Sequence, residues 1–379
     1  MKQCWTSQSD ARHAAVALSV VVLGLSSLLA ACGSPPIATP SAPSGSPTSL
    51  PTTASTATPF LSPSPSQTVS APTPTGLPNG MVYADLDGMP ASPDVAHRLP
   101  MAIMIDDNRV ARPQSGFSSA SIVYQAPVDG GEDRYMLIFQ EGTASDIGPV
   151  RSARPYFVYW ATEYKALYGH FGGDNKSLYV VLPALSKSVY NQDDLSGGSC
   201  PYHRIATRAS PHNAYTNSAA LIKCLPHMGY PSTYQGLPVR PFQDDLPASQ
   251  RPASGSITVP YHTGTVAYQY HPDTDSYLRY VDGKPQVDPA NKQQVMARNV
   301  IVMFQALSKD PVDGRPVVAN VGTGKAIVFR EGKAIVGTWK KTSNTALTRF
   351  YDSSGNEIPL VRGEIFIQSV PIGTAVTYK

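Results

Sequence analysis

Two arginines three positions apart, Arg151 and Arg154 in the run Arg151-Ser152-Ala153-Arg154, form the densest polar constellation of this 379-residue chain. They stand just before Pro155, a residue suited to the first turn of a helix. Two guanidiniums there can converge on one anion together with helix N-terminal amides, and phosphate, carboxylate or a teichoic-acid-like polymer would all qualify. The same arginines would serve equally as internal struts, paired with Asp106, Asp107 or Glu132. Asp106 and Asp107 end an apolar run, where two carboxylates can hold a hard cation or supply a general base. Adjacent strand residues point to opposite faces, however, and Asp-Asp-Asn is also a good turn cap. His170, ahead of Gly172-Gly173, and His212, between Pro211 and Asn213, are the candidate acid and base. With Arg151, Arg154 and Asp106 they would line one pocket. Metal-ligand spacings, a nucleophile elbow and a phosphate-cradling glycine loop are not found in the sequence, so no metal or cofactor is expected.

The elements that must hold these residues begin near Met81. Ala102 to Ile105, Ser121 to Gln125, Tyr135 to Phe139 and Leu167 to Phe171 read as short strands. Pro155 to Ala166 reads as a helix with Tyr156, Tyr159, Trp160 and Tyr164 on an aromatic face; Lys176 to Ser186 and Asn217 to Cys224 read as further helices. The last third changes to strands: Thr265 to Tyr270, Tyr277 to Val281, Asn299 to Phe304, a hairpin at Ala326 to Trp339, another over Arg349 to Leu360, and a final run at Glu364 to Val370. The fold class expected is α/β (α+β), a layered mixed β-sheet with helices in the N-terminal half (81–240) followed by a β-rich C-terminal region (241–379). Whether that region is a separate domain or extends the first sheet is not decided by periodicity.

Ahead of the fold, composition sets the context. Charged residues make up only 15% of the chain and the net charge is +3, so no basic footprint points to nucleic acid. Residues 33–80 contain 12 Pro, 10 Ser and 9 Thr and not one Asp, Glu, Lys or Arg. Such a stretch cannot offset its ordering entropy and reads as a disordered tether. Before it, Ala14 to Ala31 is uncharged and largely apolar, and Leu29-Ala30-Ala31-Cys32-Gly33 resembles the lipobox of bacterial lipoprotein signal peptides. That reading makes 1–31 a removed leader, and 32–80 a lipidated Cys32 with its tether. Two acyl chains suffice for stable anchoring at the extracytoplasmic face of the cell membrane. Cys200 and Cys224 are then the remaining pair, and in an exported chain they are expected to form a disulfide. Gly198-Ser199-Cys200 with His203-Arg204 also resembles the Cys and Arg stretch of cell-wall cross-linking transpeptidases, but His and Cys come in the opposite order.

Several blocks together resemble the YerB-like lipoproteins. Met104-Ile105-Asp106-Asp107-Asn108, Ala111-Arg112-Pro113-Gln114-Ser115-Gly116, Ile122-Val123-Tyr124, Gly148 to Phe157 and Pro211-His212-Asn213 are similar to the N-terminal half of that family. Gly322-Thr323-Gly324-Lys325-Ala326 and Gly337-Thr338-Trp339-Lys340-Lys341 are similar to the C-terminal half. The resemblance spans about residues 81–379 and implies an envelope lipoprotein of layered α/β structure. Arg109 stands where relatives are expected to carry His, which speaks against a metal ligand there.

Two functional classes follow. The first is a binding module that holds an anionic wall polymer, a peptide or an envelope protein through Arg151, Arg154, Asp106, Asn108, Arg112, His170, His212 and Asn213, in a cleft lined by the tyrosine-rich helix. The second is an envelope hydrolase or transferase with His170 or His212 as base and the arginines as anion clamp. No activated nucleophile can be named, which favours binding.

Overall fold

The chain is described by a computed structural model over residues 77–195 and 202–379. The leader, Cys32, nearly all of the tether and Cys200 lie outside the described residues.

In chain order, the elements that build and position the site are β1 (Met101–Asp106), β2 (Ile122–Pro127), β3 (Asp133–Phe139), α1 (Pro155–Ala161), β4 (Leu167–His170) and β5 (Tyr190–Asp193). Then come α2 (Ser218–Cys224), β6 (Ser256–Tyr261), β7 (Gly264–His271), β8 (Ser276–Val281), β9 (Asn299–Gln305), β10 (Leu307–Lys309) and β11 (Pro316–Val318). The chain finishes with β12 (Gly322–Arg330), β13 (Lys333–Lys341), β14 (Arg349–Asp352) and β15 (Ile365–Pro371).

A ten-stranded mixed sheet runs β14-β13-β12-β9-β15-β2-β3-β1-β4-β5. Its central strands are buried on both faces, which is why they read as continuous apolar runs rather than alternating ones. Along β1, Ala102 and Met104 join one core, with α1's Tyr156, Phe157 and Trp160, while Met101, Ile103 and Ile105 join the other. That second core is closed by a smaller antiparallel sheet built on β6, β7 and β8 and by Leu221 of α2. The molecule is therefore an α+β layered structure. Strands β9 and β12 to β15 extend the sheet begun by the N-terminal half, because β15 lies parallel between β9 and β2, pairing Ile365 with both Asn299 and Ile122.

Local elements depart from the sequence reading in three places. The expected 155–166 helix tightens after Ala161 into a 3₁₀ turn, Thr162–Tyr164, and stops at Lys165, whose φ is 46°. The 176–186 helix is a π turn, Ser177–Val181, running into an α turn, Leu182–Ala184. The second C-terminal hairpin closes through a bridge of Tyr351 to Glu357, but Leu360–Val361 then pairs in parallel with Phe242–Gln243, where Leu360 is fully buried.

Candidate functional site

Strands β1, β2, β4, β5, β9 and β15 all run parallel, so their carboxyl ends share one rim. In open α/β sheets that rim is where ligands bind. Asp106 and Asp107 lie there at the end of β1, Arg134 stands opposite Asp106 in register on β3, and His170 ends β4. The segment after Pro149 joins them: Asp106 N donates to Pro149 O, and Arg151 N to Met104 O. Val150 N donates in turn to Ala214 O, which brings the 211–213 loop alongside.

Asp106 is sealed from solvent and is the hub of one cluster. Its Oδ2 lies 2.6 Å from His212 Nδ1 and forms an ion pair with Arg151 Nε at 3.2 Å, while Oδ1 accepts from Asn108 N at 3.0 Å. With a carboxylate on Nδ1 the imidazole proton sits there, leaving Nε2 as the acceptor. His212 and Arg151 side chains are 18% and 16% exposed, so this edge of the cluster meets water. Asp107 faces the other way, as strand alternation requires. It accepts from Arg112 Nε and Nη2 at 3.1 and 2.9 Å and from Gln114, Gln125 and Thr263. Burial pushes its carboxyl up even with Arg112 and Arg279 nearby.

Arg154 separates from Arg151. It is nearly buried and pairs with Asp129, Nε to Oδ1 at 2.6 Å, and more distantly with Asp174. Burial raises the Asp129 carboxyl, but the attraction and hydrogen bond of Arg154, with the attraction of Arg134, together outweigh it and the net shift is downward. A groove of about 440 Å³ lies against Arg154, Tyr156, Tyr159, Lys176 and the β10–β11 hairpin. The aromatic face of α1 is otherwise core: Tyr124 stacks on Trp160 at 4.9 Å, and the Tyr164 and Tyr124 hydroxyls bond at 2.9 Å. Arg134, buried beneath the arginine turn, donates to Ser152 O at 2.8 Å. Burial, then repulsion from Arg154 and Arg151, lowers its guanidinium to about 10.

His170 is not part of this edge. It is fully buried, with Nδ1 on Gly172 O at 2.8 Å and Nε2 on Asn191 Oδ1 at 2.7 Å, so both ring nitrogens are engaged internally and it shares no partner with His212. Asn108 caps a 3₁₀ turn by accepting from Val110 N and also donates to Glu132. Asn213 accepts from Arg204 at 2.6 Å and donates to Ile205 O and Arg208 O, shaping the loop that carries His212. Among the described residues no group of three His, Cys, Asp or Glu is placed to hold a metal ion.

Sequence reasoning missed Gln125, Thr263 and Arg279. Arg279 is fully buried between the sheets, donating to Gln125 Oε1 at 2.9 Å and to the Tyr135 and Tyr268 hydroxyls, with four aromatic rings around its guanidinium. The signal was a polar residue inside an apolar strand: Gln125 in Ile122-Val123-Tyr124-Gln125, Arg279 in Tyr277-Leu278-Arg279-Tyr280.

One mixed sheet shared by both halves of the chain, covered by α1 on one face and by a small sheet with α2 on the other, defines an α+β class with a charged carboxyl rim. Residues 86–231 match the family described as "Protein of unknown function (DUF3048) N-terminal domain", and 257–367 match its C-terminal domain. The chain is 29% identical over 297 residues to "Putative lipoprotein YerB" of Bacillus subtilis (strain 168), covering 76% of this chain and 86% of that one. The crystal structure of YerB from Bacillus subtilis superposes with a TM-score of 0.70 at 26% identity, covering 79% of this chain and 99% of the other. The chain belongs to this YerB-like family.

Proposed function

We propose that this chain is a lipid-anchored protein of the cell envelope that binds an anionic ligand, a wall polymer or an acidic segment of a partner protein, at the Arg151–His212 edge of the rim. One observation carries the reading: Arg151 stands 16% exposed at the rim, above a buried Arg134 whose guanidinium is depressed by burial first and then by Arg154 and Arg151. Their field favours an anion wherever water leaves the edge. The relative named a lipoprotein supports anchoring, as does the lipobox-like run ending at Cys32. Leu86 and Asp87, early in the described residues, meet Gln140 and Gly363 at the rim opposite the site. Cys224 of α2 pairs, in this reading, with Cys200.

In Arg151→Ala, affinity for a phosphate polymer should fall by about 1.5–3 kcal/mol with little change in melting temperature. A large loss of stability at unchanged affinity would make Arg151 a strut and reject the binding role. Mass mapping of native protein without reductant should find a chain beginning at lipidated Cys32 and a linked Cys200–Cys224 peptide pair; an intact leader or two free thiols would reject the respective assignment.

The Asp106–His212 pair favours a second reading, general-base catalysis, since it fixes the imidazole with Nε2 as acceptor. Among the described residues no hydroxyl or thiol is bonded to that imidazole, so the base would have to act on water or on a ligand hydroxyl. Turnover of a wall fragment that vanishes in His212→Gln while binding persists would establish it; binding without turnover in the unaltered chain would exclude it.

A further inference from the structure

We propose that Asp133, together with the apolar groove it lines, is a binding site for a primary alkylammonium group carried on a longer chain. The groove, open to solvent, spans about 590 Å³ between the ends of β2 and β15, the β6–β7 turn and the start of β10, and its walls include Pro127, Pro260, Tyr261, Leu307 and Pro371. Asp133 is fully buried. Its Oδ2 accepts from Thr263 N at 3.0 Å and from Thr263 Oγ1 at 2.6 Å, while Oδ1 has no hydrogen-bond partner.

Neighbouring cations do not reach it. Arg134 goes to Ser152 O, and Arg112 is committed to Asp107 and Asp282. The Thr263 hydroxyl has a single proton but lies within bonding distance of two carboxylates, Asp133 and, at 2.9 Å, Asp107 Oδ2. Asp133 is therefore short of both countercharge and donors, and a buried carboxylate in that state calls for a cation.

One free oxygen suits an ammonium; a guanidinium fork would want two, and a hard metal ion several. Proline rings and Leu307 suit the alkyl stem. A second groove of about 970 Å³ shares Pro127, His262 and Leu307 with it, which leaves room for the rest of the ligand.

Cadaverine and n-butanol are the probes, titrated calorimetrically into the full chain. Cadaverine should bind at pH 7.5 and n-butanol should not. Affinity should fall about tenfold for each pH unit below 6, the region to which burial raises the Asp133 carboxyl; Asp107, His262 and Tyr261 are the titratable groups facing it. Asp133→Asn should weaken cadaverine at least tenfold and remove the pH dependence. Leu307→Trp should block the groove while leaving the carboxylate untouched, and it serves as the test if the asparagine variant fails to fold. Arg151→Ala should bind cadaverine unchanged, which separates this site from the anion edge. No binding by the unaltered chain at pH 7.5, or equal binding by Asp133→Asn, or by Leu307→Trp where the asparagine variant fails to fold, overturns the proposal.

Discussion

His170 and His212 are the same side chain in opposite settings, and the setting assigns the role. His170 is sealed, and both ring nitrogens hold neighbouring groups in place, including the carbonyl of Gly172. His212 is tied at one nitrogen only and stands partly in water. Truncating His170 strands Asn191 and the Gly172 carbonyl and opens a cavity, so His170→Ala should cost about 2–4 kcal/mol of stability. His212→Ala should cost less than about 1.5 kcal/mol, because its ring is partly solvated. Chemical denaturation of both variants checks the order, and a reversal would move the structural role to His212. Neither environment was legible in sequence, where each histidine showed only a glycine or proline beside it.

At the scale of elements, the blocks that resemble the C-terminal half of the family turn out to be the two strands of one hairpin. Gly322 to Ala326 pairs in register with Gly337 to Lys341 along β12 and β13. Gly324 and Gly337 are there for close approach. A Cβ on Gly324 would sit 2.6 Å from the Trp339 indole nitrogen, which donates to Phe304 O at 3.0 Å. A Cβ on Gly337 would come within 1.9 Å of the Tyr351 carbonyl of β14, which is backbone and cannot step aside. Gly337→Ala should therefore detach β14 from the sheet edge and cost roughly 2 kcal/mol or more, read by thermal melting and by amide exchange at Phe350 and Tyr351. Unchanged exchange there would reject that account. Strand existence was legible because Val, Ile, Phe and Tyr runs end at Gly, Asp and Pro. Strand pairing was not: β15 joins β2 across more than two hundred residues, and no local period encodes such a partner.

The whole molecule is stitched by buried charge as well as by β15. Lys341, ending β13, bonds Glu163 at 2.7 Å with both side chains fully buried, which joins the helical segment of the N-terminal half to the C-terminal strands. The rim opposite the site carries a different kind of cluster, in which like charges meet. Asp87 is nearly sealed; burial first, and then Glu141 beside it, pushes its carboxyl up to about 9. Burial raises Glu364 as well, and farther away Asp133 reaches about 6. A carboxyl whose folded value lies above its unfolded one, near 3.8 for Asp, is protonated in the native state while ionised in the unfolded chain across the interval between the two. Folding takes up that proton, so the contribution is fully present below about pH 4 and is lost as pH rises towards 9, at up to about 1.4 kcal/mol per pH unit for a single proton. Ion pairs such as Arg154 with Asp129 act in the other direction, because a lowered carboxyl forfeits its stabilisation only in stronger acid. The melting temperature should therefore peak near pH 5 and decline steadily to pH 9. Asp87→Asn removes the titrating group while keeping its shape, and it should flatten the decline and leave the variant more stable than the original chain at pH 9. Melting curves from pH 5 to 9 decide it: a variant that keeps the full slope would show that the proton resides elsewhere in the cluster, as on Glu364.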